Sequence, residues 1–377
     1  MITSFSRAAA AALAAFLIPS THAQTFTDCN PLHTTCPANT ALGMAINVDF
    51  TQGEVNSFVA SGTPTYNDDG VAFTVTQGRD APQLNSLFYI MFGRVEITMK
   101  AAPGAGIVSS LVLESDTLDE IDIEWLGSNP DEMQSNYFGK GQTTSYNRGQ
   151  FHAVQNTQTE WITYTIDWTQ DRIVWMAGGT VVREMAYEDA EENQYPQTPM
   201  QIKFGAWAGG DPNFNAPGTV EWARGPTDYS QGPFSMLVQR IIITDYSTGS
   251  EYRYGDNSGS WESIQSEGGE INGNEDNRNG ITVTATAVGT VATSDVAVPI
   301  GGIAEDGSPA TATQTGWPWV AGSSPTGGTI PSGWIMTEEG KIMPNPADSP
   351  AARVESLAAL MLGALTIGVA IFANKML

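Results

Sequence analysis

An all-β fold, built as an antiparallel β-sandwich, is what this chain predicts, and three observations predict it. Its apolar segments are short and often alternate with polar residues, as at 71–75, 94–99, 108–113, 160–168, 173–177 and 238–245. Gly, Pro, Asn and Asp punctuate them, as turns between strands require. No long stretch carries the periodicity of a helix. The part that reads this way, about 24–264, has the length of one domain and can bury a substantial core.

Ahead of it, residues 1–23 read as a secretory signal peptide: Arg7, an apolar run from Ala8 to Ile18, and a small-residue cleavage site ending at Ala23. The run is too short to span a bilayer. The chain's two cysteines, Cys29 and Cys36, follow at once. A secreted compartment favours a disulfide between them over two free thiols. With His33 and His152 the histidines left after processing, and no cysteine cluster, a metal site is not expected, nor is a cofactor.

The heptad Asp119-Glu-Ile-Asp-Ile-Glu-Trp125 carries the chemistry. On a strand, successive side chains point to opposite faces, so Glu120, Asp122 and Glu124 project from one side and Ile121, Ile123 and Trp125 from the other. Three carboxylates side by side repel and push at least one pKa upward, which suits an acid and a nucleophile on one surface. A solvated acidic edge strand would explain the charge but not strict alternation over an apolar row. Two such carboxylates can cleave a glycosidic bond, one protonating the leaving oxygen while the other attacks the sugar or activates water. Glu120 and Glu124 lie about 13 Å apart along the backbone. Converging side chains can bring that to the roughly 5–5.5 Å of a covalent, retaining mechanism, and an inverting separation of about 6.5–9.5 Å stays open on this arithmetic.

These residues resemble the E-x-D-x-E signature of glycoside hydrolase family 16, and their surroundings are similar to its fungal Crh-type cell-wall transglycosylases. The matching runs begin at Cys29, Gly93, Lys100, Ser109, Asn136, Phe204, Gly218 and Tyr254, span about 29–264, and keep the expected order. The resemblance implies a β-jelly roll with a concave, lectin-like sheet. It implies Glu120 as nucleophile, Asp122 as its auxiliary and Glu124 as acid/base. It further implies a chitin or β-glucan donor passed to a β-glucan or chitin acceptor, cross-linking a cell wall. Lys203, Trp207 and Thr219 match residues that touch sugar in the family. Lys203, Gly205 and Trp207 also share one face of a strand-like run at 201–208 by alternation. Trp207 and Trp222 offer flat apolar faces for pyranose rings, although ten Trp cannot all be subsites. Asn136 and Tyr137, following the acidic strand, are candidates for the donor side or for packing. Arg224 departs from the pattern, standing where the family usually has Gly.

Beyond the domain, 265–349 is rich in Gly, Ser, Thr, Asn and Pro and reads as a flexible, O-glycosylated stalk. A short hairpin is expected within 281–298. No Asn-x-Ser/Thr sequon occurs in the chain. Residues 350–377 end in a charge-free apolar run at 357–373, preceded by a short spacer and by small residues at 347–349. That resembles a removable glycosylphosphatidylinositol attachment signal, with a retained transmembrane helix as the competing reading.

The expected location is therefore the cell wall and the outer face of the plasma membrane, with polysaccharides as partners and the protein a monomer. A net charge of −25 argues against nucleic acid. Fold does not fix function, so two alternatives stand beside the transglycosylase: a plain endo-β-glucanase, and a non-catalytic carbohydrate-binding wall protein. The intact acidic triplet weighs against the second.

Overall fold

The computed structural model describes residues 27–142, 147–191 and 194–275, together with the backbone of 281–284, 334–336 and 342–344. The expected signal peptide and anchor signal, and most of the expected stalk, lie outside the described residues.

Two sheets pack face to face. In the first, Gln150–Ala153, Glu132–Phe138, Glu120–Leu126, Ile107–Ser115, Met200–Ala208, Gln83–Ser86 and Phe58–Ser61 lie side by side in that order. Every neighbouring pair is antiparallel. In the second, the order is Thr180–Ala186, Arg172–Ala177, Ile162–Trp168, Gly93–Lys100, Phe234–Asp245, Ala45–Asp49 and Ile281–Thr284. The first half of Phe234–Asp245 also pairs with Gly70–Val75, which pairs in turn with Thr65–Asn67. This is the all-β sandwich that the short alternating segments predict.

Alternation shows directly in Gly93–Lys100, where buried and half-buried residues alternate along the strand. Glu120–Leu126 is buried throughout. Its odd-numbered residues face the second sheet, where the Trp125 ring meets Tyr164 edge-on at 4.6 Å between centroids. Further along the core Phe204 from the first sheet touches Phe73 and Phe50, at 5.6 and 5.9 Å. Such aromatic pairs contribute about 0.5–1.5 kcal/mol each beyond the area they bury.

Two smaller devices close the ends. Cys29 and Cys36 form a disulfide, their Cα atoms 5.8 Å apart. The loop it closes leads to a three-stranded sheet of Asn39–Thr40, Glu251–Tyr254 and Ile264–Glu267. Asp245, wholly buried, accepts from the backbone N–H of Gly43, Met91 and Ser247 and from the Tyr252 hydroxyl.

The ordered architecture continues past the expected boundary at 264, through the strand ending at Glu267 and turns reaching residue 275. Of the 281–298 region, where a hairpin is expected, only the backbone of 281–284 is described. Ile281–Thr284 pairs in parallel with Ala45–Asp49, extending the second sheet. Residues 285–298 lie outside the described residues.

Candidate active site

The site is assembled on the outer face of the first sheet. Asp119, the residue before the strand, is buried and sets where Glu120–Leu126 begins. Its carboxylate accepts from the Lys140 ammonium at 3.1 Å, the Lys140 and Gln197 backbone N–H groups and the Thr198 hydroxyl. From behind, the Trp175 indole N–H of the second sheet donates to the Asp122 carbonyl at 3.2 Å. With the start of the strand anchored and its middle held from behind, Glu120, Asp122 and Glu124 stand at alternate positions with exposures of 3%, 1% and 3%.

Directly opposed residues of antiparallel neighbours share a face. On one side Phe138 lies opposite Glu120, Asn136 opposite Asp122 and Gln134 opposite Glu124. On the other, Glu114 lies opposite Glu120, Val112 opposite Asp122 and Ser110 opposite Glu124. One strand further, Lys203 follows Val112, Gly205 follows Ser110 and Trp207 follows Val108. Ser110 and Gly205 form a small pair on the Glu124 side of this face, with Pro82 and Gln83 packed close over Gly205. A Cβ on Gly205 would lie 2.3 Å from the Pro82 carbonyl oxygen, so no larger residue fits there.

Lys203 is buried and bonds the Glu114 carboxylate at 2.5 Å. Burial pushes the Glu114 carboxyl above its ordinary range; the Lys203 charge pulls it back and Glu120 pushes it up again.

The loop between the Met200–Ala208 and Phe234–Asp245 strands forms a wall over one end of this face. It contains the α-helix Pro217–Trp222. Trp222 stacks on Trp207 and donates its indole N–H to Gln134 Oε1 at 3.0 Å. Both indoles pack on Val108, Leu126 and Ala223. Thr219 is half-buried one helical turn before Trp222. Arg224, with a φ of 57°, pairs with Glu132 and lies over the Phe151 ring at 5.2 Å. The loop thus ties back to the far edge of the sheet.

Glu120, Asp122, Glu124, Asn136, Lys203 and Trp207 share one face, and Trp222 reaches it from the loop. Tyr137 does not. It lies opposite Ile121 on the inward face, in the core, which fits packing, the second of its two expected roles, and not the donor side. The sequence reading missed Glu114 and Gln134. Both are placed on the site face by strand register, which alternation within one segment does not record. Among the described residues no group of three or more His, Cys, Asp or Glu is placed to hold a metal ion.

Comparison with known proteins places these features in a lineage. The profile of the family described as glycosyl hydrolases family 16 matches residues 51–224. The chain is 57% identical over 342 residues to Crh-like protein 4 of Botryotinia fuckeliana (strain B05.10), covering 89% of each chain. It is 48% identical to Crh-like protein 4 of Aspergillus fumigatus over 334 residues, 87% of this chain and 74% of the relative. Among solved structures it is similar to a Crh5 transglycosylase in complex with NAG. That match has 48% identity and a TM-score of 0.62, and covers 63% of this chain and all of the other.

Proposed function

Because the chain belongs to glycoside hydrolase family 16, in its Crh-like branch, we propose that it is a cell-wall transglycosylase that cuts a chitin or β-glucan donor and joins it to a β-glucan or chitin acceptor. The observation that carries this reading is the placement of Glu120, Asp122 and Glu124 on one buried face, flanked by a lysine and a stacked pair of indoles. Glu120 attacks the anomeric carbon while Glu124 gives its proton to the departing sugar oxygen, leaving a glycosyl ester on Glu120. Glu124, now a base, takes the proton of an acceptor hydroxyl as that oxygen displaces Glu120. Asp122, between them, holds the nucleophile's charge and orientation.

Water competes with the acceptor, so transfer requires that a sugar be held in register. Orientation of this kind is worth on the order of 7–11 kcal/mol of barrier. The Trp207–Trp222 platform is suited to provide it. Secretion, attachment through the 350–377 signal, a stalk from the end of the folded domain to 349, and a monomeric state complete the proposal.

Incubation with chitin oligomers and a fluorescent glucan oligosaccharide tests the activity. Labelled hybrid polymer is the expected product, and shortened donor alone at high acceptor concentration would make this an ordinary glycosidase. Release from membranes by a phosphatidylinositol-specific phospholipase tests the anchor. Resistance, with the tail peptide still present, would indicate a transmembrane helix instead.

A further inference from the structure

Glu114 is a fourth carboxylate on the site face, directly opposite Glu120, and is 3% exposed. One of its oxygens bonds Lys203; the other, Oε1, is buried and has no hydrogen-bond partner among the described residues. A buried ion pair is a poor stabiliser, since desolvation offsets its attraction and apolar replacements are often as good. Val112, two residues earlier on the same face, shows that this surface accepts an apolar side chain. A costly charged pair beside reacting carboxylates therefore points to function.

On the reading that Glu120 is the nucleophile, we infer that Glu114 is a positioning residue for it: Glu114 holds the Lys203 ammonium at the nucleophile's end of the site. Held by Glu114, the ammonium lies where Glu114 and Glu120 crowd together and offsets their repulsion. When a Glu120 oxygen bonds the anomeric carbon, the bond to the leaving oxygen breaks, that oxygen takes the Glu124 proton, and the Glu120 charge disappears into the ester. The Glu114 carboxylate then loses its nearest like charge, which favours formation of the covalent intermediate.

The charged and titratable groups around Glu114 define the expected pH behaviour. Glu120 faces it from one neighbouring strand, with Asp122 next along, and Lys203 from the other. Asp116 follows on its own chain and accepts from Asn39 and from the Tyr89 hydroxyl, beyond which lies Tyr254. Glu114→Gln removes a negative charge beside Glu120 and leaves the Lys203 charge no longer neutralised by Glu114. Both changes favour the ionised nucleophile.

The test is the pH profile of kcat/KM for transfer to a fluorescent acceptor, for wild type, Glu114→Gln, Glu114→Asp and Lys203→Met. In Glu114→Gln the acid limb should move down by about one pH unit, and in Lys203→Met it should move up. Glu114→Asp, which keeps the charge, should restore the wild-type limb and serves where the Gln variant is poorly folded. Measurable transfer with an unmoved acid limb in both Glu114→Gln and Lys203→Met, whatever the Tm, would overturn the inference and leave a packing role. Absence of enzyme-dependent cleavage or transfer in the wild type would instead overturn the functional reading on which the inference rests.

Discussion

Trp207 and Trp222 stack with ring centroids 6.1 Å apart and planes inclined by 24°. They come from different elements, a strand of the site-bearing sheet and the last turn of a helix in the covering loop. Neither is fully buried. A half-exposed aromatic pair beside Glu124's partner Gln134 suits a sugar ring better than it suits a core.

Replacing Trp207 with Ala should therefore lower transfer more than donor cleavage, shifting products toward hydrolysis. A favourable contact on one aromatic face is worth on the order of 1 kcal/mol, so the transfer-to-hydrolysis ratio should fall several-fold. Product analysis with a labelled acceptor reads this ratio directly. An unchanged ratio would remove Trp207 from acceptor binding.

The acidic triplet makes a sharper prediction. Glu120→Gln and Glu124→Gln should each reduce turnover by about 10³-fold or more, because an amide neither attacks nor exchanges a proton. Asp122→Asn should weaken activity less. Circular dichroism and Tm should stay near wild type in all three, and either Glu variant turning over at close to the normal rate would end its assigned role.

Arg224 offers a test of the wall. Its left-handed backbone costs an L-residue on the order of 1 kcal/mol, and its partly exposed ion pair with Glu132 returns about 0–1 kcal/mol. Arg224→Gly should leave Tm nearly unchanged while loosening the loop that presents Trp222. The expected kinetic result is a several-fold rise in acceptor KM with kcat largely kept; a fall in kcat alone would contradict it.

Asp245 joins the second sheet to the small terminal sheet through four donors. Asp245→Asn sets an NH₂ group against N–H and O–H donors and should cost about 3 kcal/mol, seen as a lower Tm. Burial pushes the Asp245 carboxyl up to about 7, with Tyr252, Gly43, Ser247 and Met91 pulling it back. A folded-state value above the ordinary one means that this group's contribution is fully present at low pH and is lost as pH rises through about 7. The Tm gap between wild type and variant should accordingly narrow from pH 4 to 7.

Much of this was legible in the chain because a strand writes its geometry locally. Glu120, Asp122 and Glu124 needed only a period of two, as did Lys203 with Trp207. The same rule separates Asn136 from Tyr137: adjacent strand residues cannot share a face, and the pairing of Tyr137 with Ile121 shows which one turns inward. Glu114, Gln134 and the Trp222 contact depend on register between strands and on how a long loop returns, which no local pattern records. The parallel pairing of Ile281–Thr284 with Ala45–Asp49 joins segments more than 200 residues apart without a tight turn to announce it.

That last pairing also falls on one side of the sandwich. Ile281–Thr284 ends the second sheet, whereas the acids open from the first. Ile281–Thr284 thus lies on the layer that backs the acids, so its pairing extends the sandwich without touching the face on which Glu120, Asp122 and Glu124 stand.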